Sequence, residues 1–129
     1  MIGLASSILI VALSLFTLFV PYQGRYRSLP RTAFMESQAL TKACRMYFSQ
    51  VGEYPKSLDS LFKKPDSLTL EEWDGPYIDK PIQNDPWDRA YVLEFNETKK
   101  SVTVRSFGAD RIRDTEDDIL SVVSPKPAG

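Results

Sequence analysis

The chain has 129 residues, 43% hydrophobic and 26% charged, with 16 basic residues against 17 acidic for a net charge of -1. That is enough for one domain and too little for two comfortable ones, and so balanced a charge leaves no surplus to hold a phosphate backbone, so no nucleic-acid partner is expected. There is no histidine, which removes the usual general base near neutral pH, every Ser-His or Cys-His nucleophile pair and every histidine-containing zinc site, and the sole cysteine, Cys44, has no internal disulfide partner.

From Met1 to Gly24 no residue is charged, and Ile, Leu, Val and Phe dominate. The residues before Pro21 would make a helix of roughly 30 Å, the thickness of a bilayer hydrocarbon core. Residues 1–21 therefore read as a transmembrane helix. A cleaved secretory signal is the second reading, disfavoured because no Lys or Arg precedes the apolar run; a buried core helix is the third. The first charges, Arg25, Arg27 and Arg31, follow the run, and the positive-inside tendency by itself would keep that side in the cytoplasm.

Residues 22–33 form a basic connector or a continuation of the helix, 34–124 a globular head and 125–129 a disordered tail. Thr32 is placed to cap a helix whose apolar positions Phe34, Leu40, Ala43, Cys44, Tyr47, Phe48 and Val51 recur at three- and four-residue steps, with Gly52 as its stop. One stripe of this helix must be covered, and a small sheet is the obvious cover. Cys44 lies on the apolar side with nothing to activate it and reads as a small buried hydrophobe rather than a reactive thiol.

Residues 53–87 are punctuated by turn-formers, with Ser57–Phe62 fitting one or two helical turns and Leu70–Trp73 another. Leu58, Leu61, Phe62 and Trp73 are available to pin this loop to the core. In Asp85-Pro86-Trp87, Pro86 sets the backbone direction and Trp87 fills the core. Ala90–Phe95 and Ser101–Phe107 alternate as Tyr91-x-Leu93-x-Phe95 and Val102-x-Val104, an antiparallel hairpin, and Ile119–Val123 is a third strand. The fold class is α+β.

Between the second and third strands, Asp110, Asp114, Glu116, Asp117 and Asp118 put five carboxylates in nine residues. Such a run repels itself unless solvated or neutralised, and calcium, which takes hard oxygen ligands in flexible geometry, is the natural candidate ion. The spacing is not that of an EF-hand: counting from Asp110, the third position is Ile112, the sixth Thr115 and the twelfth Ser121. On composition alone a solvated loop with weak ion pairs to Arg111 and Arg113 is the simpler reading.

Three motifs in order carry more than any one of them: Gly52-Glu53-Tyr54-Pro55 after the amphipathic helix, Asn84-Asp85-Pro86-Trp87, and Ser106-Phe107-Gly108-Ala109-Asp110 leading to Asp117-Asp118-Ile119. Over residues 34–120 the chain resembles the major pseudopilin, protein G, of bacterial type II secretion. The resemblance implies a pilin-like fold, in which a long N-terminal helix, its first half in the membrane, packs on an antiparallel sheet of about three strands. It also implies a structural calcium held by the side chains of Asp110, Asp117 and Asp118 and the backbone of Phe107, with the backbone of Ile112 and Thr115 completing the shell. Two departures stand out: Arg111 occupies the place of the family's glycine after Asp110, and Leu4 stands where the family carries a glutamate in the apolar segment.

The resemblance implies no enzyme but a single-pass subunit of the bacterial inner membrane with its head in the periplasm. It would self-associate into a filament with other pseudopilins and inner-membrane secretion components, aiding protein export. The alternative is a membrane-tethered calcium-binding envelope module that contacts other proteins and never polymerises.

Overall fold

The computed structural model describes residues 28–125. The apolar segment 1–21 lies outside the described residues, and among those described no helix is long and apolar enough to cross a membrane. A helix, α1, occupies 28–51. It is followed by a long connecting loop with a 3-10 turn at Leu58–Leu61, and then by strands β1 (Val92–Asn96), β2 (Ser101–Ser106) and β3 (Ile119–Val123). The strands form one antiparallel sheet in the order β1-β2-β3, so the expected α+β architecture is present.

The buried side of α1 is built from Ala33, Ser37, Leu40, Thr41, Ala43, Cys44 and Tyr47. These residues recur at three and four positions, the period that puts side chains on one helical face. Two expectations for this helix need correction. Thr32 is not its cap: the helix already includes 28–31, and the Thr32 hydroxyl donates back to the Ser28 carbonyl. Phe34 is 44% exposed, because the covered stripe at this end passes through Ala33 and Ser37 instead. Small residues there let the helix lie close to its cover, and the Ser37 hydroxyl is satisfied by the Ala33 carbonyl at 2.8 Å. Gly52 ends the helix as expected, at φ 92°, with its N–H on the Phe48 carbonyl.

The sheet covers α1 with one face. Leu93, Val104 and Ser121 stand in register across the strands, as do Phe95, Val102 and Val123. Val102, Val104 and Val123 join the core with Leu40, Ala43, Cys44 and Tyr47 of the helix. A hydroxyl pair, Thr41 Oγ1 to Ser121 Oγ at 2.8 Å, ties α1 to β3. Phe95, which the alternation sets on the side of Tyr91 and Leu93, is exposed at the hairpin edge and keeps a tilted contact with Tyr54.

The long loop closes the other end of the core. Leu58 and Leu61 are buried, the Trp73 indole N–H donates to the Ser60 carbonyl at 2.9 Å, and Tyr77 packs edge-on against both Trp73 and Tyr47. The segment before Trp73 is a single turn and not a helix. Thr69 and Glu72 cap each other's backbone N–H, and Trp73 N–H reaches the Thr69 carbonyl. Gly75-Pro76 is a cis peptide, and a Cβ on Gly75 would lie 2.4 Å from the Trp73 ring. Trp87 is not a core residue: it is half-buried and outside the buried cluster, and Trp73 fills that role.

Candidate functional site

Alternation along β2 sends Val102 and Val104 to the helix side and Arg105 to the opposite face, in register with Val92 and Leu120. On that outer face Arg105 meets Glu94, two residues along β1 from Val92. Its Nε donates to Glu94 Oε1 at 2.8 Å and its Nη2 to Glu94 Oε2 at 3.3 Å, a two-pronged pair; its Nη1 donates to Asp118 Oδ2 at 2.7 Å and to Asp114 Oδ1 at 3.3 Å. Arg113 Nη2 reaches the same Glu94 Oε1 at 3.0 Å. One guanidinium thus joins the first strand, the acidic loop and the entry to the last strand.

The loop beneath is built from short side-chain-to-backbone bonds. Asp110 Oδ1 accepts from Ile112 N–H at 2.9 Å and Asp117 Oδ2 from Asp110 N–H at 3.1 Å. Asp118 Oδ2 accepts from Asp114 N–H at 2.9 Å as well as from Arg105, and Asp118 Oδ1 faces the N–H and hydroxyl of Thr115. Arg111 and Asp114 take left-handed backbone at φ 58° and 62°, a conformation that costs a residue with a Cβ about 1–2 kcal/mol. Gly108, at φ 75°, has no alternative, because a Cβ there would lie 2.0 Å from the Asp117 carbonyl oxygen.

A second carboxylate secures this loop from the other side. Asp85 is buried; its Oδ1 accepts from Trp87 N–H at 3.0 Å and Arg89 N–H at 2.9 Å, and its Oδ2 accepts from the Ser106 hydroxyl at 2.7 Å. Ser106 Oγ in turn accepts from Gly108 N–H at 3.1 Å. The meaning of the Asp-Pro-Trp segment therefore lies in its aspartate, which folds the 85–89 turn and fastens it to the end of β2. The available signal was the aspartate before proline at a turn, a residue type that bonds backbone groups two residues on.

The electrostatics follow the contacts. Burial alone would raise the Asp118 carboxyl, but the bond from Arg105, the N–H groups of Asp114 and Thr115 and the guanidinium charge outweigh it and hold it below the ordinary carboxylate range. Bonds to Glu94 and then Asp118 hold Arg105 above the ordinary guanidinium value against its burial.

Several members of the calcium shell that the resemblance implies, Asp110, Asp117 and Asp118 with the backbone of Phe107, Ile112 and Thr115, have other partners here. The Ile112 carbonyl accepts from the Thr115 hydroxyl, the Thr115 carbonyl from Asp118 N–H, and Asp118 faces Arg105. Among the described residues no three His, Cys, Asp or Glu side chains are grouped to hold an ion.

A cleft of about 300 Å³ runs between α1 and residues 77–83, with Glu36, Leu40 and Tyr91 in its wall. Burial first, then a hydrogen bond to Glu36, pushes the Tyr91 hydroxyl well above the ordinary phenol range, so it is a fixed proton donor and not a base. Cys44, at the helix–sheet seam, is buried and its thiol is pushed up to about 12 by desolvation, as expected of a packing residue.

A sequence profile of the family described as type II secretion system, protein G, matches residues 25–124. The crystal structure of the major pseudopilin from the type 2 secretion system of enterohaemorrhagic Escherichia coli is similar to this chain at 30% identity, covering 76% of this chain and 90% of that one, with a TM-score of 0.56. No curated protein matches the chain. With the helix packed on a three-stranded antiparallel sheet and a profile match over most of its length, the chain belongs to the type II secretion protein G family, whose members are structural subunits and not enzymes.

Proposed function

We propose that this chain is a pseudopilin subunit that assembles into a type II secretion pseudopilus, aiding protein export together with other pseudopilins and inner-membrane secretion components. The match over residues 25–124, together with the pilin-like packing of helix on sheet, carries this reading. Residues 1–21 would supply the inner-membrane anchor and the filament core, and the head would stand in the periplasm. The head suits such a role because its two ends are fastened independently: aromatic packing closes one, and the Asp85 and Arg105 bonds close the other. Any calcium bound by this head would have to share Asp118 with the Arg105 guanidinium.

The test is cross-linking of the full chain in membranes of cells carrying the rest of the secretion system. A ladder of oligomers and loss of export on deleting the gene are expected. A single monomeric band with export intact would replace the filament reading with that of a tethered, non-polymerising module.

A further inference from the structure

The acidic loop has five carboxylates and two arginines of its own, and Glu94 adds a sixth carboxylate on the sheet beside it. We propose that Arg105 is the resident cation of this loop, holding Asp118, Asp114 and Glu94 so that the head folds and stays folded without a divalent ion. Arg105 is placed for this by the alternation of β2, which leaves its side chain 14% exposed between the outer face of the sheet and the loop. The carboxylates it touches come from β1, from the middle of the loop and from the residue before β3. Those are the parts that must be locked together for the last strand to stay in register.

Asp118 Oδ2 already accepts from Arg105 at 2.7 Å and from the Asp114 N–H at 2.9 Å, while Oδ1 faces the Thr115 N–H and hydroxyl at 3.5 and 3.4 Å. The side chain of Asp118 is only 6% exposed, so water does little to screen the contact. An incoming divalent ion would have to share that carboxylate with a guanidinium, and the two positive charges repel. Arg113 reinforces the arrangement from the solvent side by sharing Glu94. A guanidinium stays charged at any working pH and cannot be diluted away, whereas a bound ion contributes stability only in proportion to its free concentration. The lock lies wholly within the head and holds whether or not the subunit polymerises.

The full chain in detergent is melted in excess chelator and in millimolar calcium, and calcium is titrated into it calorimetrically. Equal melting temperatures in the two buffers and no saturable heat are expected of the native protein. Arg105→Gln should melt about 5–10 °C lower in chelator. Arg105→Lys, which keeps the charge and loses the fork, should fall in between. A native melting temperature that rises with calcium, or saturable calcium binding by the native chain, overturns the proposal; so does an Arg105→Gln variant that melts in chelator like the native protein. The native-chain measurements decide the matter even where Arg105→Gln fails to fold.

Discussion

The two ends of this head are closed by different physics. At one end α1, the 3-10 turn and the loop through Tyr77 are joined by apolar packing, with Leu61 fully buried and Trp73 and Tyr77 stacked edge-on. At the other, the 85–89 turn, the 107–118 loop and the outer face of the sheet are joined by carboxylates accepting from N–H, hydroxyl and guanidinium groups. Apolar contacts are non-directional and scale with area, so they tolerate an irregular loop. A polar closure needs each donor matched to an acceptor, and leaving one unmatched costs more than making it gained. That difference explains why the loop with few regular elements sits on the apolar side, and why the polar side depends on single residues.

Substitutions at the two ends should therefore fail in distinguishable ways. Leu61→Ala removes a fully buried side chain from the apolar end and is expected to cost about 2–5 kcal/mol in urea unfolding. The loss should be unchanged by salt. Asp85→Ala strips acceptors from Trp87 N–H, Arg89 N–H and the Ser106 hydroxyl at once, for an expected loss of about 2–3 kcal/mol. Amide exchange in residues 106–108 should rise with it, and exchange in α1 should stay protected. Arg113→Gln breaks an ion pair whose arginine side chain is 52% exposed, so the cost should be at most about 0.5 kcal/mol and should vanish at high salt. A larger, salt-resistant loss would mean that Arg113 and not Arg105 carries the loop.

The smallest effect belongs to the seam between the two ends. With its thiol buried and pushed up to about 12, Cys44 should resist alkylation at pH 8 in the folded head and react fully once urea unfolds it. Reaction in the native state would show that the seam between α1 and the sheet opens readily.

Much of this was legible from spacing. The run from Leu40 to Val51 announced a helical face, the alternation at 102–104 announced a strand with an inner side, and Gly52 marked the stop it makes. The acidic loop was visible as a concentration of like charge that something must balance. What spacing could not show was the balancing group. Arg105 stands outside the carboxylate run, on a strand where it reads as an ordinary exposed residue, and only pairing with β1 and β3 brings it over Asp118 and Glu94. The two tryptophans were likewise equivalent as large apolar residues until the chain closed, when Trp73 found the Ser60 carbonyl and Trp87 remained at the margin.

The amino-acid order alone determined which segments become helix and strand, because periodicity and turn chemistry act over a few neighbouring residues. Its ordered motifs also placed the chain beside the protein G pseudopilins. The tertiary structure alone decided which polar group satisfies which, since Arg105 with Glu94 and Asp85 with Ser106 are partners separated along the chain. Such a partnership depends on distance and direction in space, and these exist only once the sheet has formed.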